Sequence, residues 1–148
     1  MDTFRLEVPV NVRFRDLDIF GHVNNAVYFT YCEIARNAYW TKLFGLRRTR
    51  AANFIMARAE LDYRSQTTDE HSILVGIRIS SIGRSSFDFE YNIIEDGSRR
   101  LIAEGRSVQV MYDYKTNQKT AMPESVKDRI LAFEGSENVN VRGAANRG

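Results

Sequence analysis

A chain of 148 residues with 43% hydrophobic residues and a formal net charge of +2 suits one globular domain that buries its own core. The charge is too small to indicate nucleic-acid binding, and no apolar run approaches the roughly 20 residues of a membrane span. One cysteine and two histidines exclude a disulfide framework and argue against a metal centre, and because residues 1–5 lack the apolar core of a signal peptide we expect a cytoplasmic protein.

The first predicted element is a strand with one buried face, over residues 4–14. Apolar residues occupy the even positions from Phe4 to Phe14, and most of the odd positions are charged or polar. A period of two is the spacing at which side chains alternate between the faces of a sheet. Because Pro9 lacks a backbone N–H, this strand must lie at a sheet edge or carry a bulge.

A polar turn, RDLDIFGHVNN at residues 15–25, separates this strand from a long apolar helix. Two acids, a histidine, a glycine and two asparagines cluster in the turn. Such a cluster between a strand and a helix indicates an active site at the helix N-terminus. We predict the helix over residues 25–44, with Asn24 or Asn25 as its N-terminal cap and Gly45 as its end.

The predicted helix has a wide apolar face and a narrow polar stripe. The polar residues recur at steps of three and four, at Thr30, Glu33, Asn37 and Thr41. A helix with this pattern is largely buried, so a sheet must wrap around it. Its aromatic residues either fill that core or line a pocket for an aryl or aliphatic group.

Four further strands are predicted over residues 55–64, 73–79, 87–93 and 101–114, joined by short polar turns. In the last of them the apolar residues occupy odd positions up to Ala103 and even positions from Val108. That change of phase indicates a β-bulge near Gly105. Short connections imply that neighbouring strands are antiparallel.

The predicted fold is therefore α+β, with one five-stranded antiparallel sheet wrapped around one long central helix. A short helix is predicted over residues 124–133, with Pro123 in its first turn. We expect a single domain over residues 1–134. Residues 135–148 are rich in Gly, Asn and Ser, so we expect them to form a flexible C-terminal tail.

The pattern D-x-x-G-H-V-N-N-x-x-Y, from Asp18 to Tyr28, resembles the hotdog-fold acyl-CoA thioesterases related to 4-hydroxybenzoyl-CoA thioesterase. Fainter likeness extends over roughly residues 5–130. The resemblance implies the hotdog fold just described, with a short C-terminal helix, and hydrolysis of an acyl-CoA thioester without a cofactor. It also implies a homodimer, or a tetramer built as a dimer of dimers, with active sites between subunits.

The resemblance assigns the catalytic carboxylate to Asp18, and the backbone N–H that polarises the thioester carbonyl to Asn25 or its neighbour. A helix N-terminus is suited to this task, because it offers unpaired N–H groups and a partial positive charge. Asp18 then acts either as a nucleophile, forming a mixed anhydride, or as a general base on water. Gly21 lets the backbone approach the ligand, Asn24 adds a neighbouring amide, and His22 is a candidate to position water or substrate.

Each of these residues also has a structural interpretation. Asp18 could cap the turn, His22 could be a structural histidine, and the two asparagines could do no more than cap the helix. Asp16 is a rival carboxylate on the same face of an extended strand, and we expect it to be structural or exposed. Acyl-carrier-protein thioesterases have Asn at the position of Phe20, so this chain favours the acyl-CoA branch, and His22 lacks that polar companion.

Recognition of CoA requires positive charge for its phosphates. Arg64 and Arg84 adjoin strand connections, where a groove between subunits could open. Arg58 and the basic loop at residues 47–50 are further candidates. Two other functions stay open: a hotdog hydratase or dehydratase, and a non-catalytic acyl-CoA-binding module. The position of Asp18 in its loop argues against both.

Overall fold

The structure of the protein, a computed structural model, describes residues 4–45 and 53–143. The basic loop at residues 47–50 lies outside the described residues. The helices and strands are β1 (Leu6–Val10), α1 (Val27–Phe44), β2 (Phe54–Tyr63), β3 (Ile73–Ile82), β4 (Ser86–Glu95), β5 (Leu101–Asp113), β6 (Gln118–Lys119), α2 (Glu124–Glu134) and β7 (Asn140–Val141). Within these ranges no helix combines the length and hydropathy needed to cross a membrane.

The five long strands form one antiparallel sheet in the order β1-β3-β4-β5-β2. This is the predicted α+β architecture. Strand β1 is at one edge, where the missing N–H of Pro9 is tolerated, as predicted. Strand β2 is at the other edge, and its outer side has no partner strand in the described part of the chain.

Helix α1 buries one side against the sheet, with the residues Tyr28, Tyr31, Cys32, Ala35, Tyr39, Trp40 and Leu43. Tyr39 lies 5.2 Å from Phe89 of β4, and Trp40 lies 5.8 Å from both Phe89 and Phe87, measured between ring centroids. These rings therefore fill the core rather than line a pocket. The predicted polar stripe is confirmed, since its four residues are all exposed.

Ala103 at the start of β5 is buried as predicted, but from residue 107 onward the buried face of β5 is the opposite of the predicted one. Ser107, Gln109 and Met111 point into the core, with exposures of 1%, 0% and 2%. Val108 and Val110 lie on the outer face. The two polar side chains are tolerated in the core because each has internal hydrogen-bond partners. The spacing of apolar residues alone therefore assigned the wrong face.

The β-bulges also differ from the predicted one. Strand β5 bulges at Ile102 and β2 at Ala57, whereas Gly105 keeps regular register with both neighbouring strands. The glycine is needed for a different reason. A Cβ atom at Gly105 would lie 2.0 Å from the carbonyl oxygen of Glu60, so the close passage of β2 excludes any side chain.

The chain after α2 takes regular structure where we expected a flexible tail. Ser136–Asn138 forms a 3-10 turn, and β7 pairs in parallel with the end of β3. Val139 anchors this segment in the core at 6% exposure, and Asn138 Nδ2 donates to the Glu134 carbonyl. Val139 and the pairing of β7 hold residues 135–143 against the rest of the protein. Neither feature could be predicted from this Gly- and Asn-rich sequence.

Candidate active site

Residues 17–23 form a tight loop, closed by a β-bridge between Leu17 and Val23. Inside it the Asp18 N–H donates to the His22 carbonyl at 2.7 Å, and the Gly21 N–H donates to the Asp18 carbonyl at 3.1 Å. Gly21 has a φ of 82°, a left-handed conformation that other residues adopt at a cost. The structure therefore gives Gly21 a conformational role, while the approach of its backbone to a ligand stays a prediction.

The Asp18 carboxylate uses one oxygen to hold the loop and leaves the other available. Its Oδ1 accepts the N–H groups of Phe20 at 2.9 Å and His22 at 3.1 Å. Its Oδ2 accepts no hydrogen bond from residues 4–45 or 53–143, and the side chain is half-buried. The capping interpretation of Asp18 accounts for Oδ1 alone.

Helix α1 begins at Val27, two residues later than predicted, and its N-terminal cap position is Ala26, which has no side-chain cap. The predicted cap at Asn24 or Asn25 is therefore wrong, and Asn24 instead closes the turn before the helix. Asn24 Oδ1 accepts the N–H of Ala26, and the Asn24 carbonyl accepts the N–H of Val27, both at 2.9 Å. The Asn25 N–H, by contrast, meets no acceptor among the described residues, while the Asn25 carbonyl accepts Tyr63 Oη–H at 2.9 Å. The start of α1 thus presents an unpaired donor at Asn25.

A cavity of about 270 Å³ opens beside this donor. It is lined by Val23, Asn25, Tyr28, Tyr63, Arg64, Ser65 and Gln66. Burial, followed by smaller effects that include the charge of nearby Asp18, raises the pKa of Tyr28 to about 12. The phenol is therefore neutral at physiological pH, and the charges near the cavity include those of Asp18, Arg64 and Arg100.

Asp16, the rival carboxylate, is 3% exposed and faces the interior. Its Oδ2 accepts Tyr31 Oη–H and the backbone N–H of Arg13, and its Oδ1 accepts the Arg13 guanidinium at 3.4 Å. This confirms the structural role we expected. Asp18 is half-buried and Asp16 is buried, so Asp18 is the more accessible of the two carboxylates.

The model of the thioesterase-like superfamily matches residues 12–130, a span that contains the loop, α1 and strands β2 to β5. The chain belongs to this superfamily. The predicted hotdog fold and an activity of thioester hydrolysis are thereby confirmed at the level of the family.

Individual relatives agree with this membership. YsmA of Bacillus subtilis is 32% identical over 122 residues, covering 82% of each chain. The acyl-acyl carrier protein thioesterase ATL3 of Arabidopsis thaliana is 26% identical over 131 residues, covering 86% of this chain and 68% of that one. A thioesterase from Thermus thermophilus, crystallised with coenzyme A and Zn, is 36% identical with a TM-score of 0.81, covering 91% of this chain and 98% of that one.

One chain of this thioesterase does not bring its candidate phosphate-binding arginines together. Arg64 lines the cavity, but its guanidinium lies 3.0 Å from Glu104 and 3.6 Å from Asp62. Arg84 is exposed in the β3–β4 connection, at the opposite end of the sheet from Tyr63. A strand of 10 residues separates those two ends, a length of roughly 30 Å.

Two residues support the site through contacts that the sequence did not predict. Tyr63 holds the Asn25 carbonyl, and Arg100 donates to Ser65 Oγ at 2.7 Å and to the Gln66 carbonyl at 3.0 Å, which fixes one wall of the cavity. Each acts across more than 30 residues of sequence. No local pattern could reveal such contacts. His22 is half-buried in the loop of residues 17–23.

Proposed function

We propose that this thioesterase hydrolyses acyl-CoA, with the Asp18 carboxylate as nucleophile or general base and the Asn25 N–H polarising the thioester carbonyl. The observation that carries the proposal is the unpaired Asn25 N–H at the start of α1, next to a loop in which Asp18 Oδ2 is also unpaired within the described residues. A helix start adds a partial positive charge where the carbonyl oxygen gains negative charge.

Both chemical routes use the same two groups. In the nucleophilic route Asp18 Oδ2 bonds to the thioester carbon, the C–S bond breaks, CoA leaves as thiolate, and water then hydrolyses the mixed anhydride. In the general-base route Asp18 takes a proton from the attacking water, and that proton ends on the departing thiolate. The two N–H donors on Oδ1 fix the orientation of the carboxylate in either route. His22 is then available to position the water or the substrate.

Two considerations support CoA as the carrier of the acyl group. The Thermus thermophilus thioesterase of similar sequence was crystallised with coenzyme A. In addition, Phe20 occupies the position at which acyl-carrier-protein thioesterases with a similar loop have Asn. The Arabidopsis relatives act, by name, on acyl carrier protein thioesters, so that class is the competitor in the test below.

We further propose that the complete site lies between two copies of the chain, in a homodimer or a dimer of dimers. No strand among the described residues pairs with the outer edge of β2, and Met56 and Tyr63 on its inward face are 41% and 43% exposed. If two β2 strands pair antiparallel around a two-fold axis, Tyr63 lies opposite the partner subunit's Phe54. The partner subunit's Arg84 then reaches the end of the sheet that carries Arg64, and both can meet the CoA phosphates.

The test is thiol release from short, medium, long and benzoyl-type acyl-CoAs, measured on the wild type and on Asp18→Asn. We expect the variant to lose at least about 100-fold in kcat, the size of effect expected of an acid–base group, with an unchanged circular dichroism spectrum. Asp128→Asn, which alters an exposed carboxylate on α2, is the matched control and should keep wild-type turnover.

Wild-type turnover in Asp18→Asn would remove Asp18 from the mechanism. Turnover of acyl carrier protein thioesters but of no acyl-CoA would overturn the choice of carrier. Binding of CoA thioesters without hydrolysis would favour the non-catalytic module, and hydration of enoyl-CoA would favour the hydratase.

A further inference from the structure

A buried phenol–carboxylate pair joins the loop of residues 17–23 to α1. Tyr31 Oη–H donates to Asp16 Oδ2 at 2.8 Å, and both residues are almost fully buried, at 2% and 3% exposure. The Arg13 N–H donates to the same oxygen at 2.9 Å. Asp16 immediately precedes the loop, and Tyr31 lies in the second turn of the helix. The pair therefore connects the two elements that carry the proposed catalytic groups.

The backbone of Asp16 makes a second connection. Its carbonyl accepts the N–H of Asn24 at 2.9 Å, and the Val23 N–H donates to the Thr67 carbonyl at 3.0 Å. The Asn24 N–H belongs to the residue just before Asn25. The side chain of Asp16 thus ties the start of the loop to α1. Its backbone carbonyl ties the start of the loop to the residue that follows the loop, Asn24.

The same tyrosine also reaches the other side of the Asn25 peptide. The ring of Tyr31 packs edge-on against Tyr28 at 5.8 Å, and Tyr28 packs against Tyr63 at 5.7 Å. Tyr63 Oη–H in turn holds the Asn25 carbonyl. Asn25 is therefore fixed on both sides, by Asp16 through Asn24 and by Tyr31 through the two other rings.

We propose that the Asp16–Tyr31 pair is a positioning device, which sets the Asp18 carboxylate and the Asn25 N–H in the relative position that hydrolysis requires. Neither member touches the substrate. The inference rests on the proposed function, because it assigns the pair a role in that reaction. Its physical basis is that a displacement of about 1 Å between reacting groups can cost on the order of 100-fold in rate.

The protonation states of Asp16 and Tyr31 persist over the working pH range. Burial alone would raise the pKa of Asp16, but the hydrogen bonds from Arg13 and Tyr31 together outweigh burial and hold the pKa below its ordinary value. Burial, followed by the hydrogen bond to Asp16, raises the pKa of Tyr31 well above its ordinary value. Tyr31 thus stays a donor and Asp16 stays an ionised acceptor, so the link does not loosen with pH.

The chain supplies a matched control for testing this role. Tyr39 is a second buried tyrosine of α1, and its Oη–H donates to Glu134 Oε2 at 2.7 Å, away from the loop. Tyr31→Phe and Tyr39→Phe each remove one buried phenol–carboxylate bond. Both should lower the melting temperature. Only Tyr31→Phe should lower kcat, by about 10-fold or more with KM within about twofold of the wild type, because binding groups are left in place.

Backbone amide exchange, followed by NMR, gives a second reading that does not depend on turnover. The amides of Phe20 and His22 are bonded to Asp18 Oδ1, so loosening the loop exposes them. We expect their exchange to accelerate by about 10-fold in Tyr31→Phe and not in Tyr39→Phe. Asp16→Asn, which keeps an acceptor oxygen for Tyr31, should fall between Tyr31→Phe and the wild type in both readings.

Equal kcat values in the two Tyr→Phe variants, or equal exchange at Phe20 and His22, would overturn the positioning role. Undiminished turnover in Asp18→Asn, measured alongside, would overturn the proposed function instead. The exchange comparison would then still decide whether the pair holds the loop.

Discussion

Asp18 and Asn25 each combine one hydrogen-bonded group with one unpaired group. Asp18 Oδ1 accepts two backbone N–H groups, and the Asn25 carbonyl accepts Tyr63 Oη–H. Asp18 Oδ2 and the Asn25 N–H have no partner within the described residues. Fixing one end of a group while leaving the other free aligns it for reaction without further reorganisation. A capping role and a catalytic role of Asp18 are therefore compatible.

The role proposed for Asn25 belongs to its backbone and not to its side chain. The side chain that holds the turn before α1 is that of Asn24, whose Oδ1 accepts the Ala26 N–H. No described group is held by the Asn25 amide nitrogen. The proposed contribution of Asn25 to the reaction should therefore survive the loss of its side chain, provided that the backbone N–H is kept.

At the scale of the elements, Glu134 fastens α2 to the core. Its Oε2 accepts Tyr39 Oη–H of α1 at 2.7 Å and the Ile79 N–H of β3 at 3.0 Å, so one carboxylate bridges three elements. Burial is the largest influence on this carboxyl and raises its pKa, against the opposing effect of these hydrogen bonds and of Arg78 and Arg5.

This raised pKa predicts a pH-dependent stability. A group whose pKa is higher in the folded protein stabilises the fold fully below its ordinary value of 4.5, and that contribution is lost as pH rises through the folded value. Glu134→Gln keeps an acceptor for both donors and carries no charge. We expect its melting temperature to exceed that of the wild type at pH 7.5, by a margin that shrinks toward pH 4.5.

Thermal unfolding of both proteins across this pH range measures the effect. Glu70→Gln changes an exposed carboxylate of the β2–β3 connection and should show no such trend. A Glu134→Gln protein that is less stable than the wild type at pH 7.5 would mean that the ionised carboxylate binds its two donors more strongly than burial penalises it.

Helices and strands could be predicted from the sequence wherever the apolar residues recur at the spacing of the residues that are buried in the structure. The polar stripe of α1 and the edge position of Pro9 follow from such local patterns. The face of β5 could not be predicted, because Ser107 and Gln109 are buried through hydrogen bonds that span the sheet. The support of Asn25 by Tyr63 escaped prediction for the same reason, since 38 residues separate them.

At the scale of the whole molecule, the described residues of a single chain keep the candidate phosphate-binding arginines apart. Arg64 is engaged by two carboxylates, and Arg84 lies at the far end of the sheet. The exposed tip of the loop also carries Ile19 and Phe20, at 92% and 77% exposure. Large apolar side chains with such exposure commonly mark a surface that another molecule covers. A second copy paired through β2 would supply the missing arginine.

A charge placed at the centre of β2 tests this arrangement. Ala59 is exposed on the inward face of β2, close to the proposed two-fold axis, so Ala59→Asp would bring two like charges together. Like charges in an interface cost several kcal/mol. We expect sedimentation velocity to show a dimer or tetramer for the wild type and a monomer for Ala59→Asp, with turnover reduced by at least about 10-fold.

Ala132→Asp, an equally small change on the exposed side of α2, should alter neither property. A monomeric Ala59→Asp protein with full turnover, or a wild type that is active as a monomer, would contradict a site between subunits.

The central claim is that the Asn25 N–H activates the thioester, and Asn25→Pro tests it most directly. Proline removes this N–H, and it is tolerated at the start of a helix because no internal bond is lost there. Asn25→Ala removes the side chain and keeps the N–H. We predict that kcat for acyl-CoA falls by about 100- to 1,000-fold in the folded Asn25→Pro protein and far less in Asn25→Ala. Equal losses in the two variants, or wild-type turnover in Asn25→Pro, would contradict the account.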